Sequence, residues 1–347
     1  MPSRPHVLAI RRRYLGDVVL LGSWLRNVRL HWPEAKISVL VERAYAGVLA
    51  LNPDVDETLI APARALEWPA FLLDLRRRGF SHVFNFDNTE GTAALTRCTG
   101  AGFRLGLHHS GFPLRLPSAY THRVNHPTAE HESHSITEYY LCTLAAAGIP
   151  AACRTVRLVP READLEAMGR YVGAAGPVLL VHPGSRSPWR MWPADQFAAV
   201  CDRAQDELGV QVVLAGGPGD QAVIESIRQR ARSHLLVLNE TLTLPRFAAL
   251  GRLAAVFLGH DSGPMHIAAA VGTPVVALYG SQNAVLFQPA GQGHLLLQAA
   301  LPCTECVAPA HCVPQDSYRN FCVRRLSVDE VFGAVRSQFA RADAPRA

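Results

Sequence analysis

Val256-Phe257-Leu258-Gly259-His260-Asp261-Ser262-Gly263-Pro264-Met265-His266-Ile267-Ala268-Ala269-Ala270-Val271-Gly272-Thr273-Pro274-Val275-Val276-Ala277-Leu278-Tyr279-Gly280 sets the fold class. Two apolar runs of four to five residues flank a polar turn and a helix of small residues, the pattern of strand, turn, helix and strand. Asp261 or Ser262 is placed to cap the helix, and Pro264 suits its first turn. Unpaired N–H groups should therefore face out beyond the first strand, where they attract an anion. Gly263 lets a ligand approach the backbone, and Ser262 and His266 add polar groups beside it. Any αβ protein has such turns, and His266 alone reads as a capping or packing histidine.

Working outward, the second half of the sequence continues the same pattern. Strands are expected at 178–182, 210–214, 235–238, 255–258 and 275–278, and a last amphipathic helix at 327–339. The first half runs in the same way. Val7-Leu8-Ala9-Ile10 opens it as a buried strand, followed by strands at 37–41, 58–60 and 82–86. Strands alternating with helices mean parallel sheets, here two in tandem, with the best linker candidate at 155–177. After the first strand comes Arg11-Arg12-Arg13-Tyr14-Leu15-Gly16-Asp17 and then an amphipathic helix over 18–29. Asp17 is thus expected at a helix N-terminus and at the carboxyl end of a strand, where open αβ sheets bind ligands. The plain reading is an N-cap aspartate beside three solvated arginines. No G-x-G-x-x-G follows the first strand, which counts against a dinucleotide oxidoreductase.

Two more turns carry donors. His182-Pro183-Gly184-Ser185-Arg186-Ser187-Pro188-Trp189-Arg190-Met191-Trp192-Pro193 follows the strand at 178–182 and offers backbone N–H groups, hydroxyls and a cation. Ala215-Gly216-Gly217-Pro218-Gly219-Asp220 follows the next strand and is, on its own, a tight turn with a helix cap. The stretch 104–134 is rich in His, Arg, Pro and Gly and reads as one long exposed segment, either solvated or a cationic flap over an anionic acceptor. Within it His131-x-x-His134 is a poor metal signal, having no third ligand at defined spacing.

Composition narrows the choice. The 347 residues, 49% hydrophobic and 18% charged, suit two globular domains. No apolar run approaches the roughly 18 residues of a membrane span, and the basic start lacks the apolar core of a leader, so a cytoplasmic protein is expected. The net charge of +5 fits an anionic partner better than it fits nucleic acid, for which no motif appears. Cys98, Cys142, Cys153 and Cys201 are scattered like core residues in a reducing compartment. Cys303, Cys306, Cys312 and Cys322 cluster, and read either as a structural metal site or as a cysteine-rich loop.

The four turns, L-G-D at 15–17, G-S-x-x-x-x-R-x-W-P at 184–193, G-G-P-G-D at 216–220 and D-S-G-x-x-H-x-A-A at 261–269, resemble in order and spacing the signatures of family 9 glycosyltransferases, the bacterial lipopolysaccharide heptosyltransferases. One departure is Arg190, where the family usually has lysine; arginine keeps the charge but binds as a rigid fork. The resemblance implies an α/β fold of GT-B type, two Rossmann-like parallel-sheet domains facing a cleft. It implies an acceptor domain over 1–165, a nucleotide-sugar donor domain over 166–325, and a closing helix and tail over 326–347. It further implies that Ser185, Arg190, Asp220, Asp261, Ser262, Gly263 and His266 hold the donor, Asp220 near the ribose. Arg11 and Gly16 fall to the acceptor side, and Asp17 becomes the candidate base of an inverting transfer from ADP-heptose. The acceptor would be an anionic lipid A–core glycolipid, met at the inner face of the inner membrane.

The charge logic agrees. A leaving alkoxide must be protonated, whereas a nucleoside diphosphate leaves as a stable anion and needs only neutralisation. One base and several donors suffice, so neither cofactor nor metal is expected in the reaction. The competing expectations are a GT-B enzyme using another nucleotide-sugar and a nucleotide-sugar-binding protein without turnover.

Overall fold

The computed structural model describes residues 4–172, 176–187, 190–239, 242–280, 282–300 and 322–342. The chain forms two compact units, Met1–Val159 and Pro160–Ala347. Cys303, Cys306 and Cys312 lie outside the described residues, as does the side chain of Cys322.

The first unit holds six parallel strands, β1 (His6–Ile10), β2 (Lys36–Val41), β3 (Glu57–Ile60), β4 (His82–Asn85), β5 (Phe103–His109) and β6 (His122–His126), in the order β3-β2-β1-β4-β5-β6. Central parallel strands are covered on both faces, so they read as unbroken apolar runs; Val7 to Ile10 are wholly buried. The stretch 104–134 is therefore not one long exposed segment: it holds β5 and the edge strand β6. Edge strands carry one solvated side, which lets His122, Arg123 and Asn125 occupy β6 without breaking it. The helix expected over 18–29 is two helices, Leu15–Leu20 and Gly22–His31, joined at Leu21.

The second unit repeats the plan with β7 (Val178–His182), β8 (Gln211–Ala215), β9 (Leu236–Leu238), β10 (Val256–His260), β11 (Val275–Tyr279) and β12 (Leu295–Gln298), all parallel, ordered β12-β11-β10-β7-β8-β9. One face packs Leu179, Val181, Val212, Leu214, Leu258 and Leu278 beneath the helices Ala194–Leu208 and Val328–Ala342. Trp192 is buried there, and its indole N–H donates to Leu326 O at 2.9 Å, which satisfies the ring's one polar group. At Gly259 β10 runs close against β7: a Cβ there would stand 2.8 Å from His182 O.

In each unit the strand order reverses beside the first strand, between β1 and β4 and between β7 and β10. Helices leave the sheet in opposite directions at such a point, opening a crevice at the carboxyl ends of the strands.

Candidate active site

In the first unit the crevice is lined by the residues just after β1 and β4. Ile10 pairs with Asn85, so Arg11 and Asp87 leave the sheet as neighbours. Asp17 is not the helix cap; Tyr14 is, and Asp17 is the third residue of the helix, where its Oδ2 accepts the Tyr14 N–H at 3.4 Å. Its Oδ1 is held twice, by Arg11 Nη2 at 2.6 Å and by the Tyr140 hydroxyl, which donates at 2.9 Å. Arg11 reaches on to Asp87 Oδ1 at 3.1 Å, and Asp87 Oδ2 accepts the Arg12 N–H at 3.0 Å. Arg11 is therefore not a solvated arginine but a buried bridge between two carboxylates.

The electrostatics follow from that burial. Desolvation works against the Arg11 charge, yet the carboxylates of Asp17 and Asp87 beside it hold its pKa above the ordinary arginine value. Burial pushes the Asp87 carboxyl upward despite Arg11 and Arg12. Burial also holds the Tyr140 phenol well above its usual value, so it stays a neutral donor toward Asp17. The result is a carboxylate fixed by one oxygen, with Oδ2 carrying one long contact among the described residues.

In the second unit the three donor turns stand side by side, because Gly259 pairs with His182 and Val181 with Leu214. Ser262 stands at the N-cap of the helix Gly263–Ala270, and its hydroxyl is buried without a hydrogen-bond partner among the described residues. A buried hydroxyl at a helix N-terminus is costly unless something binds there. Half-buried Arg190 has its pKa lowered by burial, partly offset by Asp261, which places the two within electrostatic reach. His260 is wholly buried and pulled down to about 3, again by burial; the Trp192 N–H donates to its Nε2 at 2.8 Å and so fixes the W-P segment to the end of β10. His266 is buried within the helix.

Asp220 Oδ2 accepts the Gly217 N–H at 2.8 Å and lies 3.5 Å from His182 Nε2. Desolvation alone would raise its pKa, but His182 and the Gly217 N–H hold it below the usual carboxylate value. Its other oxygen fills the space above Gly184, where a Cβ would stand 1.9 Å away, so any larger residue there would displace the aspartate. Ser185 Oγ accepts the Ser187 N–H at 3.4 Å.

Arg11, Gly16 and Asp17 thus gather in the first unit, and Ser185, Arg190, Asp220, Asp261, Ser262, Gly263 and His266 on three adjoining turns of the second. Asp87, Tyr140, His182 and His260 belong to these clusters and were not singled out by the sequence. Asp87 carried a signal, an acidic residue just past a strand beside β1; Tyr140, 123 residues from Asp17, carried none.

Comparison with known proteins fits this geometry. The sequence model described as glycosyltransferase family 9 (heptosyltransferase) matches residues 69–313. The chain is 27% identical over 296 residues to lipopolysaccharide heptosyltransferase 3 of Escherichia coli (strain K12), covering 80% of this chain and 83% of that protein. In fold it is similar to the glycosyl transferase family 9 protein from Veillonella parvula DSM 2008, with a TM-score of 0.84, 20% identity and 98% and 99% of the two chains covered. It is similar also to E. coli ADP-heptose lps heptosyltransferase II, with a TM-score of 0.80, 20% identity and 98% and 100% covered.

Proposed function

The chain belongs to glycosyltransferase family 9, and on that premise we propose that it moves a heptose from ADP-heptose to a lipopolysaccharide core acceptor, inverting the anomeric centre without a metal ion. Names among its relatives support the donor and the acceptor class. The observation that carries the chemistry is Asp17, whose Oδ1 is held by Arg11 and Tyr140 while Oδ2 has, among the described residues, a single 3.4 Å contact.

In this reading Asp17 Oδ2 takes the proton of the acceptor hydroxyl as that oxygen attacks the anomeric carbon from the face opposite the diphosphate. The carbon–oxygen bond to ADP breaks, and ADP leaves as an anion. Arg190, Ser185 and the first-turn N–H groups of Gly263–Ala270 stabilise the charge that develops on the diphosphate, the work a metal would otherwise do. The buried, unpartnered Ser262 hydroxyl supports that assignment. Asp220 and His266 complete the donor set. Arg11 positions Asp17, and Arg11 with Gly16 borders the acceptor.

Among the described residues no helix is long and apolar enough to cross a membrane. The net charge of +5 supports an anionic glycolipid acceptor met from the membrane surface. Protection of the folded protein against heat by ADP, UDP and GDP tests the donor: protection by ADP well below the concentrations at which UDP and GDP act is expected. Equal or stronger protection by UDP or GDP would select a different nucleotide-sugar.

A further inference from the structure

His126 ends β6, and the helix Thr128–Ser133 follows almost at once, so the chain turns back on itself within a few residues. Glu130 and His134 are one helical turn apart, and each offers a donor atom toward His126. We propose that His126, Glu130 and His134 form a binding site for one Zn²⁺ ion, with water completing the coordination.

The donor set fits that ion. Two imidazoles and a carboxylate are borderline nitrogen and oxygen ligands, which suit zinc and not magnesium or calcium. The three donor atoms lie within 4.8 Å of one another, against about 3.4 Å for ligands roughly 2.1 Å from a tetrahedral ion. Glu130 and His134 are exposed, and small rotations of their side chains close that difference. His126 Nδ1 already stands 3.9 Å from Glu130 Oε2.

His126 is buried at the end of β6, and its Nδ1 is the ring nitrogen that faces Glu130. His131, which the sequence spacing paired with His134, instead stacks on His109 with ring centroids 4.2 Å apart. That stacked pair packs against Tyr139. The ion would tie the end of β6 to the residues just before the helix Ile136–Leu141, which carries Tyr140. It would brace the group that holds Asp17 without entering the transfer.

The test is Zn²⁺ titration of the metal-stripped full chain in competition with a chromophoric chelator, comparing wild type with Glu130→Gln/His134→Ala. Both substituted residues are exposed, so the variant should fold, and its circular dichroism and melting without metal check this. Co²⁺ spectra of the same samples separate the sources, because thiolate ligation gives strong near-ultraviolet bands and this site does not. Loss of an outer-shell partner weakens metal binding by about 10–100-fold, so removing two direct ligands should weaken one equivalent of Zn²⁺ by at least about tenfold. The same equivalent should survive His122→Ala, a change at an exposed histidine of the same strand. Identical Zn²⁺ binding by wild type and the double variant, or equal loss in His122→Ala, would overturn the site.

Discussion

Replacing Arg11 with methionine removes the cation that pairs with both Asp17 and Asp87. Its guanidinium stands 2.6 Å from Asp17 and 3.1 Å from Asp87, whose side chains are 17% and 9% exposed, so water offers little compensation. Removing one partner of a buried ion pair costs about 3–5 kcal/mol, because the remaining charge is left uncompensated, and Arg11→Met should fall in that range near pH 7.5. The loss should depend on pH through Asp87. Burial already raises its pKa, and Arg11 is the largest influence opposing that rise, so without Arg11 the folded value climbs further. A carboxyl whose pKa is higher folded than unfolded binds more protons in the folded state, so stability falls as pH rises from about 3.9 through the folded value. The deficit should be largest at neutral pH and shrink toward about pH 5. Urea denaturation of wild type, Arg11→Met and Arg11→Met/Asp87→Asn at both pH values measures this, and the added Asp87→Asn should restore at least about 1 kcal/mol at neutral pH. A loss under about 1 kcal/mol, or one that neither acid nor Asp87→Asn relieves, would refute the bridge.

Arg190→Ala should weaken ADP binding by roughly tenfold or more in calorimetry, from about 1.5–3 kcal/mol for a hydrogen bond to a charged group; unchanged affinity would remove Arg190 from the donor site. Transfer should persist in excess EDTA, even if a structural ion is stripped, and a complete loss reversed by magnesium would contradict charge stabilisation by protein donors alone. Gly259→Ala should lower stability by about 1–3 kcal/mol, since its Cβ would stand 2.8 Å from His182 O and 2.9 Å from the Phe257 ring, and a melting point within error of wild type would contradict that close approach.

What the sequence disclosed follows from how local each feature is. The central strands β1, β7, β10 and β11 are short runs buried on both faces, and their composition alone marks them. The edge strands β6 and β12, and β5 beside β6, were missed because their side chains are only partly covered, so histidine, arginine and glutamine interrupt the apolar run. The donor turns were legible because Gly184, Ser185, Gly217 and Ser262 act through their own backbone and cap geometry. Asp17 was found, but its surroundings were not: Tyr140 reaches it from a distant helix and Asp87 through the sheet register, neither of which is written near residue 17. The break at Leu21 was marked in the sequence only by Gly22, which a helical pattern tolerates.

The central claim is that Asp17 removes the acceptor proton, and the most direct measurement is turnover and ADP affinity of Asp17→Asn. Asparagine keeps the size and can still accept from Arg11 and Tyr140, while Arg11 retains Asp87, so the variant should fold and bind ADP as wild type does. Losing general-base catalysis should lower turnover by roughly 10²–10⁴-fold. Near-normal turnover in a folded variant with intact ADP binding would contradict the assignment.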